Sequence, residues 1–331
     1  PLLDRGLLVE AGAEPEHRAG RPSVPLDIVT ESHRFVGVKI TGHDVHAAVT
    51  TLRAGVLDAG TAPLRGQDPD AVTATVRDLV ADLTRNVPDV RGLGVSLGGQ
   101  VVGQATVSRA PFLGWDEDVP LRTLLEEAAG LPTTVDNDLL ALTKAEHWFG
   151  AARDKDRFAV ITTGIGVGYG LVTHDTIVDS PDSGFGLVGH YPLDPLGPRC
   201  DEGHRGCADA MLSTGPISAT VSAGLRRLVS YEECLDLALA GDPVAAPVIA
   251  DSGRALGKLI ANVATLTMTT TFVLTGEGIR LAEVAGDAVQ NGIRQHRHPE
   301  ALPLSLTVQP HDPTHWARGA AVTAIQNYVS S

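Results

Sequence analysis

The chain has 331 residues, of which 43% are hydrophobic, 4% aromatic and 20% charged, and its formal net charge is −14. These values allow a large buried core and exclude global disorder, and the acidic balance excludes nucleic acid or anionic lipid as a partner of the main body. Three cysteines exclude a disulfide framework, and no apolar run reaches the roughly 20 residues of a membrane span, so we expect a cytoplasmic protein with no membrane partner.

The first 33 residues differ in character from the rest of the chain. The sequence begins at Pro1 without an initiator Met, so we expect an N-terminal part of the protein to lie upstream. A short helix end, a loop rich in Gly and Pro, and an extended segment are predicted here. His17, Arg18 and Arg21 form a small basic group within that loop.

Runs of Val and Thr separated by Gly predict strands early in the chain, and acidic residues at its start predict a helix after them. The strands predicted in this half are 35–40, 43–52, 55–64, 92–97, 100–107 and 133–137. The helices predicted there are 68–86, 120–130 and 139–151.

The opening pattern of strands then returns. FAVITTGIGVGYGLVTHDTIVD (158–179) lines up with FVGVKITGHDVHAAVTTLRAGVLD (35–58) in strand order and in its central Gly turn. This weak internal repeat predicts two similar α/β halves with mixed sheets. The other predicted elements are a loop at 181–212, helices at 242–266, 278–295 and 314–329, and strands at 269–276 and 305–310.

A set of short motifs follows the order found in one known family. They are RAPFLGW (109–115), VDND (135–138) before AEHWFGA (145–151), TTGIGVG (162–168), VGHYPLDPLGPRCDEGHRGCADA (188–210), LTGEG (274–278) and RGAAVTA (318–324). From about residue 35 to its end, the sequence resembles the ROK family of repressors, open reading frames and kinases.

The resemblance implies a two-lobed α/β fold of the actin-like ATPase, or ribonuclease-H-like, type that sugar kinases use. It implies a smaller lobe at 34–137 plus 315–331 and a larger lobe at 138–314 that carries a zinc loop. Residues 1–33 resemble the end of a winged helix-turn-helix, with Gly-Arg-Pro (20–22) at the wing, followed by a linker. The repressor branch, of the xylose-repressor and N-acetylglucosamine-repressor type, has this element, and the kinase branch lacks it.

By the same resemblance, Asp138 matches the general base that takes a proton from a sugar hydroxyl. Asn137, Asp138 and His190 match ligand-binding positions, and at a fourth such position Asp209 replaces the family's longer Glu. A second interpretation is that Asp136, Asn137 and Asp138 cap the following helix, and the two roles are compatible.

Several family positions have changed. The phosphate loop that resembles Asp-x-Gly-Gly-Thr in family kinases begins here with Lys39, which cannot hold a cation. Leu187 stands where the family has a sugar-binding Glu, and Phe112 where it has Asn. The change at Lys39 argues against catalytic binding of ATP and Mg²⁺, and the changes at Leu187 and Phe112 indicate a sugar pocket of altered specificity. Four glycines keep nucleotide-binding positions, although glycine is also common in turns for steric reasons: Gly164, Gly166, Gly276 and Gly278.

The family's structural zinc site consists of a His, then Cys-x-Cys, then a last Cys. His190, Cys200 and Cys207 match three of these positions, and Glu202 stands at the middle cysteine. Zinc requires four donors, and His204 or Glu202 can supply the fourth. We favour His204 because imidazole accompanies thiolates more often than carboxylate does in structural sites. The alternative is a loop with two free thiols and no metal.

Three functions are compatible with these features. The first is a transcriptional regulator that senses a small-molecule effector, such as a sugar or sugar derivative, and binds operator DNA through the N-terminal part upstream. The second is an ATP-dependent, glucokinase-like sugar kinase of divergent specificity. The third is an assembly protein with an inactive pocket. The resemblance implies a homodimer or homotetramer.

Overall fold

A computed structural model describes residues 2–11 and 25–330 of the chain. They divide into two compact units, one formed by Pro1–Ala145 with Pro313–Ser331 and the other by Glu146–Asp312. The lobe boundaries that the family resemblance implies, at residues 137 and 314, stay a prediction. Among the described residues, no helix is long and apolar enough to cross a membrane.

The N-terminal segment is attached to the first unit. Strand β1 (Leu8–Glu10) pairs antiparallel with β2 (Leu26–Ile28), and Leu7 beside β1 is buried. The predicted basic group and the Gly-Arg-Pro at 20–22 lie outside the described residues.

The first unit is built on a mixed five-stranded sheet in the order β5-β4-β3-β6-β9. Strands β3, β4 and β5 are antiparallel, whereas β6 and β9 run parallel to β3. The bounds are β3 (Arg34–Ile40), β4 (Asp44–Thr51), β5 (Val56–Pro63), β6 (Val90–Leu97), β7 (Gln100–Val102), β8 (Thr106–Arg109) and β9 (Thr133–Asn137). The helices are α1 (Pro69–Thr84), α2 (Leu121–Ala129) and α3 (Asp138–Trp148).

One predicted strand of this unit is wrong. The run 100–107 forms the hairpin β7–β8 rather than a single strand, because the chain reverses at Gly103 and Gln104, which both adopt positive φ. Glycine adopts this left-handed backbone readily, so the turn forms at low cost there.

The second unit repeats the same plan with a sheet in the order β12-β11-β10-β13-β14. Again a three-stranded antiparallel part is followed by two parallel strands, as the internal repeat predicts. Its strands are β10 (Arg157–Thr163), β11 (Val167–Thr173), β12 (Thr176–Ile177), β13 (Thr271–Thr275) and β14 (Ser305–Val308). Its helices are α4 (Ala208–Leu212), α5 (Thr214–Leu225), α6 (Tyr231–Leu239), α7 (Ala245–Thr267), α8 (Arg280–Val284) and α9 (Gly286–His296).

Two further expectations need correction. The helix predicted at 278–295 is divided into α8 and α9, because Ala285 leaves the helical conformation. The predicted loop 181–212 contains α4 and a 3-10 turn at Leu187–His190.

Helix α10 (Pro313–Ser330) returns to the first unit and lies on its sheet. A Cβ atom at Gly94 of β6 would be 1.8 Å from the Ala320 carbonyl oxygen, and one at Gly37 of β3 would be 1.9 Å from the Ala317 oxygen. Only glycine permits such a close approach of helix and sheet.

The end of α10 also holds the N-terminal segment. The Arg5 guanidinium donates a hydrogen bond of 2.5 Å to the Tyr328 carbonyl and lies 4.6 Å from the centre of the Tyr328 ring. The His33 and Phe35 rings are each 5.4 Å from that ring. The segment before β3 is therefore fixed to α10 by an aromatic cluster with one cation.

Candidate functional site

Asn137 ends β9 and fixes the start of α3. Its side-chain oxygen accepts hydrogen bonds from the backbone N–H groups of Leu139 at 3.0 Å and Leu140 at 3.2 Å, and its amide nitrogen donates to the Gly99 carbonyl at 2.9 Å. Asn137 thus has the capping role that the sequence suggested. These bonds hold the adjacent Asp138 at the carboxyl edge of the sheet.

Asp138 forms an ion pair with Lys39 of β3. Both side chains are mostly buried, with 18% of Asp138 and 13% of Lys39 exposed. The Lys39 ammonium also lies 5.1 Å from the centre of the Trp316 ring on α10. Lys39, predicted to replace a phosphate-loop Asp, therefore contacts Asp138, the predicted general base. Trp316 is a neighbour that the sequence did not indicate.

Phe112 stands beside this ion pair. A Cβ atom built at Gly98 would lie 3.0 Å from the Phe112 ring and 3.5 Å from an Asp138 carboxylate oxygen. The Gln67 amide links the turn carrying Phe112 to the end of β3, because it donates to the Phe112 carbonyl at 3.4 Å and to the Gly42 carbonyl at 2.8 Å. About half of the Phe112 side chain is exposed, so the surface next to Asp138 is aromatic rather than hydrogen-bonding.

Asp136, the residue before Asn137 in β9, stabilises the same edge of the sheet. It is buried, forms an ion pair with Lys144 of α3, and accepts a hydrogen bond of 3.3 Å from the Thr323 hydroxyl of α10. The side chain therefore connects β9, α3 and α10.

In the second unit, the turn between β10 and β11 contains Gly164 and Gly166. A Cβ atom at Gly164 would lie 2.1 Å from a Glu277 carboxylate oxygen, and that oxygen accepts a hydrogen bond of 3.4 Å from the Ile165 N–H. Glu277, between two of the predicted glycines, is a neighbour of this turn that the sequence reasoning missed.

The two glycines around Glu277 contact the same turn. A Cβ atom at Gly276 would lie 2.3 Å from the Thr163 oxygen, and the Gly278 N–H donates to that oxygen at 2.8 Å. Close packing alone therefore explains glycine at these positions, and their nucleotide-binding role stays a prediction.

Asp209 and His190 lie near this turn, in the second unit. Asp209, in the first turn of α4, accepts hydrogen bonds of 3.2 Å from the Val167 N–H and from the Ser213 hydroxyl. A Cβ atom at Gly189, next to His190, would lie 2.4 Å from Asp209. The other two predicted ligand-binding residues, Asn137 and Asp138, belong to the first unit.

The loop before α4 gathers metal-ligand side chains. One potential ligand atom from each of His190, Cys200 and Cys207 lies within 4.8 Å of the others. The Cys200 sulfur is 3.9 Å from His190 Nδ1, and Cys207 is buried. Burial raises the pKa of the Cys207 thiol, and the neighbouring Cys200 thiol raises it further. A cation between the two sulfurs would reverse this effect by stabilising the thiolates.

Two further donors border the same cluster. His204 Nδ1 lies 3.7 Å from the Cys200 sulfur, and Glu202 Oε2 lies 3.1 Å from His190 Nε2. His190, Glu202 and His204 form a second, overlapping group. In a tetrahedral zinc site, N and S ligand atoms are separated by roughly 3.6 Å, so the observed separations fit this ion.

The two similar mixed sheets and the residues at their edges define the class of protein as an α/β fold of the sugar-kinase type. The ROK hexokinase of Thermus thermophilus has this fold, with a TM-score of 0.75, 23% identity, and coverage of 90% of this chain and 100% of that one. The ROK family model matches residues 35–327, and the chain belongs to the ROK family.

Relatives within the family include regulators and kinases. The DNA-binding transcriptional repressor Mlc of Escherichia coli K12 is 23% identical over 312 residues, which are 90% of this chain and 77% of the repressor. A glucokinase of Halalkalibacterium halodurans is 27% identical over 290 residues, which are 81% of this chain and 86% of the kinase. A ROK family transcriptional regulator, a homologue of E. coli MLC, superposes with a TM-score of 0.83 at 25% identity, covering 98% of this chain and 86% of that one.

Proposed function

We propose that this chain is the effector-sensing part of a ROK-family transcriptional regulator that has lost phosphoryl transfer. The ion pair between Lys39 and Asp138 carries this proposal. A general base must present a free carboxylate oxygen to its substrate, and one oxygen of Asp138 already accepts a hydrogen bond from the Lys39 ammonium. Lys39 also removes the carboxylate that would hold Mg²⁺ at the phosphate loop.

The Gly turn of the second unit supports the same conclusion. Phosphate binding to such a turn depends on backbone N–H groups that are free to donate. Here the Ile165 N–H points to the Glu277 carboxylate. A phosphate group at this position would have to displace a negative charge that already uses the donor.

The N-terminal segment supports the regulator branch. The regulator homologous to MLC covers 98% of this chain, whereas the Thermus hexokinase covers 90%. The β1–β2 ribbon is compatible with the end of a winged helix-turn-helix, and Arg5 fixes it to Tyr328. In this proposal, an N-terminal winged helix-turn-helix binds operator DNA, and the protein is a cytoplasmic homodimer or homotetramer.

The effector in this proposal is a sugar or sugar derivative. Asn137 and Asp138 are its proposed contacts in the first unit, and Phe112 provides an aromatic surface beside Asp138. An aromatic ring and a paired carboxylate suit a ligand with one apolar face and at least one hydroxyl group.

Two measurements test this proposal. A coupled assay with ATP and a panel of hexoses and N-acetylhexosamines should show no turnover above that of Asp138→Asn. Turnover that this substitution abolishes would instead establish the sugar kinase. A thermal-shift screen with the same panel should identify a ligand whose shift is weakened by Asp138→Asn and kept by Asp82→Asn, a control on the exposed face of α1. No shift with any sugar would favour the assembly protein.

A further inference from the structure

We infer that Glu202 is a positioning residue outside the metal's coordination sphere and that His204 is the fourth ligand, beside His190, Cys200 and Cys207. Glu202 stands where the resembling family has a cysteine ligand, so sequence position alone would make it a ligand. The contacts of the His190 ring indicate instead that Glu202 positions this histidine. This inference concerns metal binding alone and is independent of the effector and of DNA.

The two nitrogens of His190 face different partners. Nδ1 lies 3.9 Å from the Cys200 sulfur, and Nε2 lies 3.1 Å from the Glu202 carboxylate. A ring that donates Nε2–H to a carboxylate keeps its Nδ1 lone pair free for a metal. The Glu202 contact therefore selects the tautomer whose free nitrogen points to the thiols.

Glu202 is poorly suited to bind the same ion directly. Its oxygen is in hydrogen-bond contact with the nitrogen on the opposite side of the ring from Nδ1. A carboxylate in this position orients the imidazole, as in other carboxylate–histidine–zinc arrangements. The negative charge of Glu202 would then lie outside the coordination sphere, where the Cys200 and Cys207 thiolates already balance the charge of Zn²⁺.

His204 is placed to complete the site. Its Nδ1 lies 3.7 Å from the Cys200 sulfur, and its ring centre is 4.6 Å from that of His190. The loop backbone maintains this approach, because the Cys200 N–H donates to the His204 carbonyl at 2.9 Å and the Gly203 N–H donates to the Cys200 carbonyl at 2.9 Å. His204 is exposed, so its ring can turn towards the buried Cys207 when metal binds.

The test uses the whole chain and compares Glu202→Gln with His204→Ala. The wild type should bind about one equivalent of zinc, and cobalt substitution should give the strong near-ultraviolet band of thiolate ligation with visible bands of a tetrahedral site. Glu202→Gln should keep the stoichiometry and the cobalt spectrum but lose about 10- to 100-fold in zinc affinity, measured by competition with a chelator. His204→Ala should change the visible spectrum and lose affinity more strongly.

His174→Ala, an exposed histidine of the same unit, is the matched control and should leave zinc binding unchanged. Circular dichroism of each variant separates loss of metal from loss of fold, and His204→Gln provides a second substitution at that site. The inference is overturned if Glu202→Gln changes the cobalt spectrum while His204→Ala keeps it. It is also overturned if the wild type binds no zinc, or if zinc binding survives the change of both Cys200 and Cys207 to Ser.

Discussion

Replacing Lys39 by Met is the most informative single perturbation of the first unit. The substitution keeps the length of the side chain and removes the charge that faces Asp138. We expect it to destabilise the protein, because a carboxylate that is only 18% exposed then loses its ion-pair partner. The double variant with Asp138→Asn should recover part of this loss, since it leaves no unpaired charge.

The magnitude follows from the burial of the pair. Two unit charges about 3 Å apart attract by roughly 5 kcal/mol at an effective dielectric constant near 20. Ordering the lysine side chain costs up to about 2 kcal/mol, and desolvation of both groups offsets more of the gain. Since both side chains keep some exposure, we expect Lys39→Met to cost about 2–3 kcal/mol, at or below the range for fully buried pairs. We expect a coupling energy of about 2 kcal/mol between the two positions.

The assay is a double-mutant cycle of Lys39→Met and Asp138→Asn, measured by urea denaturation. The matched control is the pair Arg85–Asp82 on α1, whose side chains are 71% and 69% exposed. Solvent screens that pair, so its cycle should show no resolvable coupling. A coupling energy between Lys39 and Asp138 as small as that of the control would refute the ion pair and the loss of base function inferred from it.

Two further predictions concern packing and pH. Gly94→Ala should destabilise the protein by about 3 kcal/mol or more, because its Cβ would lie 1.8 Å from the Ala320 oxygen. The control is Gly215→Ala in α5, which has no atom within 4 Å and should be neutral or stabilise the protein by up to about 1 kcal/mol. Burial, and then the charge of Arg91, lower the pKa of His33. The unfolded chain therefore binds more protons, and stability should fall as pH drops below about 6.5. Denaturation at pH 7.5 and pH 5 should show a smaller loss of stability for His33→Gln than for the wild type. Wild-type stability that is higher at pH 5 would contradict the His33 prediction, and equal thermal stability of Gly94→Ala and wild type would contradict the packing prediction.

The repeated strands could be predicted from sequence because Val- and Thr-rich runs there are bounded by Gly turns. The prediction of β9 at 133–137 agrees with the observed strand Thr133–Asn137. Helix α5 was not predicted, since its sequence TGPISATVSAGL is rich in Gly, Pro, Ser and Thr, which are weak helix formers. Tertiary packing stabilises this helix instead, because Ile217 and Val221 are buried in the core of the second unit.

The sequence indicates individual residues of the candidate site but not which of them contact each other. Lys39 and Asp138 were each singled out, yet they are 99 positions apart, and their contact depends on the order β3-β6-β9 in the sheet. Trp316 reaches Lys39 only because α10 returns to the first unit. Glu277 had one signal in the sequence, its place between the two glycines of LTGEG.

The return of α10 has a consequence for the order in which the protein is made. Strand β3 ends at Ile40, but the helix that covers it begins at Pro313. The second unit, Glu146–Asp312, is continuous and leaves the ribosome before that helix does. During synthesis, the sheet that contains Lys39 therefore has its glycine-lined face uncovered until α10 is made, and the first unit is completed after the second.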